Sequence, residues 1–133
     1  MTEANRQVVL DYVAAFNRGD MEALQGLFSE DALVYGALGW GGLDVVIPIW
    51  QQLHQAFGFQ LDVEALLTHG DDVVARLIER GTSVGEFRGQ AATGKSSEVL
   101  AIEWFTIEKS RIKRRWGVRD SAAHFRQMWL SLG

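Results

Sequence analysis

The sequence predicts an α+β domain, with helices first and a curved, mostly antiparallel sheet after them. Three observations carry that reading. Before residue 58, apolar residues recur at helical spacing, as in Val9, Tyr12, Val13 and Phe16. From Phe59 the period drops to two, and turn residues at Gly70-Asp71-Asp72 and Glu108-Lys109-Ser110 divide the rest into two hairpins. The chain of 133 residues is one domain's worth, with no repeat, linker or low-complexity tract.

The elements follow in order. Residues 4–17 form a helix that ends at Arg18-Gly19. Asp20 caps a short second helix, with Glu22 in its first turn and Met21, Leu24, Leu27 and Phe28 turned inward. Residues 31–35 suit a short strand, and the glycine-rich stretch 36–42 is a loop. Asp44 is the expected N-cap of a third helix, which puts Pro48 near its fourth position, where a missing N–H costs little. Trp50, Leu53 and Phe57 line the buried side of that helix. Strands are expected over 60–68, 73–82, 98–107 and 111–118, and a closing helix over 121–130.

The last hairpin fixes the expected site. Pairing Ile107 with Ile112 and keeping strict alternation sets Phe105 against Arg114, Glu103 against Trp116 and Val99 against Asp120. One face then holds Glu103, Arg114, Trp116, Val118 and Asp120 among apolar neighbours. The other holds Leu100, Ile102 and Trp104 beside Lys113, Arg115 and Arg119. An apolar outer face of that kind needs a cover, and a homodimer through Leu100, Ile102 and Trp104 supplies one.

Composition excludes several classes. There is no cysteine, hence no disulfide framework, thiol nucleophile or cysteine-ligated zinc. His54, His69 and His124 lack metal-ligand spacing, so no metal is expected. The glycines do not form a dinucleotide-binding pattern, and no nucleophile elbow is present. Six of the 13 basic residues crowd into 109–119, but with those cations set aside the net charge of −4 falls to −10, which disfavours a nucleic-acid partner. The longest apolar run, Val45 to Trp50, is too short to span a membrane, and the N-terminus lacks a signal-peptide pattern, so a cytoplasmic protein is expected. Five Trp and seven Phe are costly to leave in water, and call for a large core, a ligand cavity or a partner surface.

Several segments together resemble the SnoaL-like polyketide cyclase family. They are Tyr12–Phe16-Asn17-Arg18-Gly19-Asp20–Leu24–Leu27-Phe28, Gly70-Asp71, Arg76, Gly81-Thr82–Gly85-Glu86-Phe87–Gly89, Thr93-Gly94-Lys95 and Ile112–Trp116–Asp120. The resemblance implies a nuclear transport factor 2-like fold, a cone-shaped α+β barrel. Three N-terminal helices would lie on the concave face of the sheet, beside a short C-terminal helix and an apolar pocket. It implies a cofactor-independent aldol-type ring closure on a small apolar molecule, with the aspartate at the end of the last strand, here Asp120, as acid/base. The family's polar residues at three further positions correspond to Val118, Ser83 and Tyr35.

The expected catalytic residues are therefore Asp120 and Tyr35, the tyrosine donating to a developing enolate oxygen. The expected substrate-binding residues are Trp40, Trp50, Leu53, Phe57, Ser83, Glu103, Arg114, Trp116 and Val118. Asp120 also stands where it would cap the helix beginning at Ser121, a role that favours its charged form and opposes a base. Epoxide opening or isomerisation in the same pocket, and a noncatalytic ligand-binding or dimerisation module, are the competing readings.

Overall fold

The computed structural model describes residues 2–36 and 39–131. Ten elements follow in the order α1 (Thr2–Asn17), α2 (Met21–Gly26), β1 (Phe28–Gly36), β2 (Gly39–Gly41), α3 (Leu43–Phe57), β3 (Gln60–His69), β4 (Asp72–Thr82), β5 (Ser96–Glu108), β6 (Arg111–Arg119) and α4 (Ser121–Gln127). One six-stranded sheet has the order β2-β1-β6-β5-β4-β3, antiparallel except where β1 runs parallel to β6. The sheet is curved and stays open rather than closing into a barrel. No helix among the described residues is long and apolar enough to cross a membrane.

The helices bury the stripes their spacing predicts. Val9, Tyr12, Val13 and Phe16 of α1 are all buried, and the Tyr12 ring packs edge-on against Phe105 of β5, 4.9 Å between centroids. Asp20 caps α2 by accepting the Ala23 N–H at 3.0 Å. In α3 the cap differs from expectation. Gly42 takes the N-cap position and its carbonyl accepts the N–H groups of Val45 and Val46, so Asp44 sits inside the first turn. Pro48 is then the sixth helical residue, where its missing N–H leaves one backbone bond unmade. Gly58, at φ 55°, ends α3 in a left-handed conformation that favours glycine.

On β4 and β5 alternation holds throughout: Val73, Ala75, Leu77 and Glu79 face in, as do Val99, Ala101, Glu103, Phe105 and Ile107. On β6 it breaks. Ile107 pairs with Ile112 as expected, but Thr106 then pairs with Arg114, leaving Lys113 as the extra residue of a β-bulge. Every later side chain changes face. Phe105 stands opposite Arg115 and Glu103 opposite Gly117, not opposite Arg114 and Trp116. The expected register for 114–120 is thus corrected by one residue. The physical reason lies in the facing strands: Glu79 and Glu103 are both buried, and the bulge brings Arg115 and Arg119 to them, where strict alternation would have offered Arg114 alone.

Candidate active site

Between α1, α3, α4 and the concave face of the sheet lies a cavity of about 230 Å³. Much of its wall is apolar, from Phe16, Val46, Ile49, Trp50, Leu53, Phe57, Phe59, Phe87 and Phe125. Tyr12, Glu79, Glu103, Arg115, Arg119, Ser121 and His124 also line it. Most of these polar groups belong to one connected cluster. Ser97 Oγ and His124 Nδ1 are 2.6 Å apart, and His124 Nε2 lies 2.9 Å from Glu79 Oε1. Glu79 Oε2 is 3.0 Å from Arg119 Nη2, which also donates to Glu103 Oε2 at 2.7 Å. Arg115 Nη1 approaches that oxygen at 3.2 Å, and the Tyr12 hydroxyl donates to Glu103 Oε1 at 3.0 Å. A carboxylate at Glu79 can only accept, so Nε2 of His124 donates to it.

Local geometry explains how the cluster forms. Glu79 and Glu103 occupy inward positions of β4 and β5, and Arg115 and Arg119 are four residues apart on β6, beyond its bulge. A Cβ at Gly117, which lies between them on the same face, would collide with Arg115 Nη1, so glycine at 117 makes the room for that guanidinium. The Trp50 ring covers it, 5.4 Å from centroid to Cζ.

Burial and pairing compete at Glu103, Arg119 and Tyr12. Burial on its own would raise the Glu103 carboxyl, but Arg115 and then Arg119 outweigh it, and the group stays below the usual carboxylate range. Arg119 shows the reverse contest: burial would lower it, yet Glu103 and Glu79 hold it above its ordinary value. The Tyr12 hydroxyl is pushed up, first by burial and then by Glu103, so it remains a proton donor. Glu103, with two hydrogen-bond donors and a second guanidinium beside it, is a poor base.

The residues predicted from sequence separate into three groups. Trp50, Leu53, Phe57 and Glu103 line the cavity. Arg114, Trp116, Val118 and Tyr35 do not, because the bulge turns the first three away and alternation along β1 turns Tyr35 opposite Val34, a wall residue. Trp116 stacks on Tyr35 with centroids 5.4 Å apart, Arg114 donates to the Lys113 carbonyl at 2.8 Å, and Val118 is 67% exposed. Glu103 is correspondingly paired with Arg115 and Arg119, not with Arg114. Ser83 is buried away from the cavity, where its hydroxyl accepts the Thr93 N–H at 3.0 Å. The Trp40 side chain lies outside the described residues. Asp120 is the N-cap of α4: it accepts the Ala123 N–H at 3.0 Å, its side chain is 63% exposed, and it is not part of the cavity wall. Of its two sequence roles, this geometry supplies the cap.

Tyr12, Glu79, Arg115, Arg119 and His124 were not singled out from sequence as site residues. Glu79 carried a usable signal, a charged residue continuing the inward row Val73, Ala75, Leu77. The arginines carried none, since their facing depends on the bulge. Among the described residues, no three metal-ligating side chains converge.

The sequence matches the family described as SnoaL-like polyketide cyclase over residues 6–128. The chain belongs to that family. Its fold is shared with solved structures at low identity. AclR of Streptomyces galilaeus, a hydroxylase candidate, has 22% identity and a TM-score of 0.88 over 97% of this chain and 98% of its own. IdmH of Streptomyces antibioticus, a polyketide cyclase candidate, has 24% identity and a TM-score of 0.83 over 95% and 99%. An LEH-like epoxide hydrolase of M. tuberculosis has 12% identity and a TM-score of 0.78 over 96% and 91%. No curated protein sequence matches the chain. This SnoaL-like domain therefore carries an interior cluster of two carboxylates, two guanidiniums and an imidazole against an apolar cavity.

Proposed function

We propose that this SnoaL-like protein is an acid/base enzyme that removes a proton from a small apolar carbon acid, the first step of an aldol-type ring closure. The observation that carries this reading is the Glu79 carboxylate. It lines the cavity, held by His124 on one oxygen and Arg119 on the other. Glu79 meets one guanidinium and one imidazole, whereas Glu103 faces two guanidiniums and a tyrosine, and Glu79 is the carboxylate we assign as the base. When Glu79 takes the proton, the cluster gains one unit of positive charge beside the new enolate. With a neutral ketone the charges then balance beside a largely apolar wall, where such pairing is stronger than in water. The Arg119 guanidinium, beside Glu79, stabilises that enolate without reorganising. The wall of Trp50, Phe57 and Phe87 orients the ligand and excludes water. A homodimer through Leu100, Ile102 and Trp104, joined by Trp116 and Val118, is the cover proposed for the outer sheet face.

The test uses 2-tetralone, a bicyclic ketone, in D₂O, with exchange at its α-carbon followed by NMR. The wild-type protein is expected to accelerate exchange above an equal concentration of free imidazole and acetate, saturably in ketone. Bound ketone with exchange no faster than in that buffer would contradict acid/base catalysis and leave a binding module.

A further inference from the structure

Arg115 is the least satisfied member of the cluster. Its side chain is 3% exposed, yet its Nε and Nη1 have no hydrogen-bond acceptor. Its described polar contact is the 3.2 Å ion pair to Glu103 Oε2, an oxygen that already receives Arg119 at 2.7 Å. The other Glu103 oxygen is taken by Tyr12. Glu103 thus has its donors without Arg115, and two cations converge on one carboxylate oxygen. A buried guanidinium in that state bears a desolvation cost with few bonds in return.

Two features hold it there. Gly117 leaves the space it occupies, and the Trp50 ring of α3 packs against the guanidinium. A planar guanidinium with unused N–H groups matches the two oxygens of a carboxylate better than a single carbonyl. The cavity of about 230 Å³ falls below the range of drug-sized sites, which suits a ligand of one or two rings.

We propose that Arg115 anchors an ionised carboxylate of the ligand, so that the cavity takes a small aromatic or fused-ring carboxylic acid in preference to its neutral derivatives. This rests on the cavity being the ligand site, as argued above. It adds the anchor and the acid function. The carboxylate would sit along the Nε edge of the Arg115 guanidinium, away from the Nη1 that faces Glu103, with the apolar rings along Phe16, Leu53 and Phe57.

Calorimetric titration of the wild-type protein with 2-naphthoate and with 2-naphthamide at neutral pH tests it, since the two differ in charge and scarcely in shape. The naphthoate is expected to bind roughly tenfold tighter or more, the scale of charge-assisted hydrogen bonds. In Arg115→Met, with folding checked by circular dichroism, the two are expected to bind alike. Equal affinities in the wild type, or a preference that survives Arg115→Met, would overturn the anchor while leaving the cavity reading intact. Binding of neither probe would overturn both. Should Arg115→Met not fold, Arg115→Lys takes its place: it keeps a charge but not the planar fork, so the naphthoate preference is expected to shrink, and an unchanged preference would overturn the anchor.

Discussion

Glu103 sits where the charge balance of the interior is most exposed to pH. Its carboxyl is held below the unfolded value of about 4.3, because Arg115 and Arg119 outweigh burial. A depressed carboxylate contributes stability that is complete above the unfolded value and is lost as pH falls through the lower folded one. Urea denaturation is therefore expected to show wild-type stability falling once pH drops below about 4. Glu103→Gln should cost about 3 kcal/mol or more at neutral pH, since it strands buried guanidiniums, and should flatten that acid-side loss. Gly117 offers a second test at this scale. Gly117→Ala places a methyl group where Arg115 Nη1 lies, so Arg115 must move. Chemical denaturation should register about 1–3 kcal/mol, the range for an overpacked core.

At the scale of elements, α4 depends on its first residue. Asp120 accepts the Ala123 N–H, so Asp120→Ala should lower stability by about 1 kcal/mol, read as a shift in the urea midpoint at unchanged slope. The same element shows how far sequence reaches. The Asp20 cap was legible because a short polar residue preceded an apolar helical stripe. The faces of β5 were legible because its alternation is unbroken from Val99 to Ile107. The faces of β6 were not, because Lys113 is an added residue in a run of cations that has no apolar alternation to reveal it. One bulge therefore exchanged Arg114, Trp116 and Val118 for Arg115 and Arg119 as inward residues. His124 of α4 was hidden for another reason: its partner Glu79 lies on β4, 45 residues back in the chain. The N-cap of α3 differs for a related reason. Gly42 reaches it by backbone geometry alone, with no side-chain bond, and Asp44 stands two residues too late.

Across the whole molecule the aromatic surplus has separate destinations. Tyr12, Phe28, Trp50 and Phe105 pack against one another inside, whereas Trp104 and Trp116 pair across β5 and β6 on the convex face at 46% and 43% exposure. Leu100 and Val118 extend that face. Covering it between two copies predicts a dimer mass by light scattering at micromolar concentration, and a shift toward monomer in Trp104→Glu, because a charge there would be desolvated. A monomer mass for the wild type would contradict that cover. The cavity lies on the opposite, concave side, so the ligand site and the self-association surface are expected to vary independently.

The most direct test of where the chemistry resides compares Glu79→Gln with Asp120→Ala in the 2-tetralone exchange measurement, each variant first shown to be folded. Loss of the base should slow exchange by about a hundredfold or more, while removal of an exposed helix cap should leave the rate unchanged at a temperature where both variants are folded. The opposite pattern, exchange kept by Glu79→Gln and lost in Asp120→Ala, would return the base to the end of the last strand and contradict the interior cluster as the site.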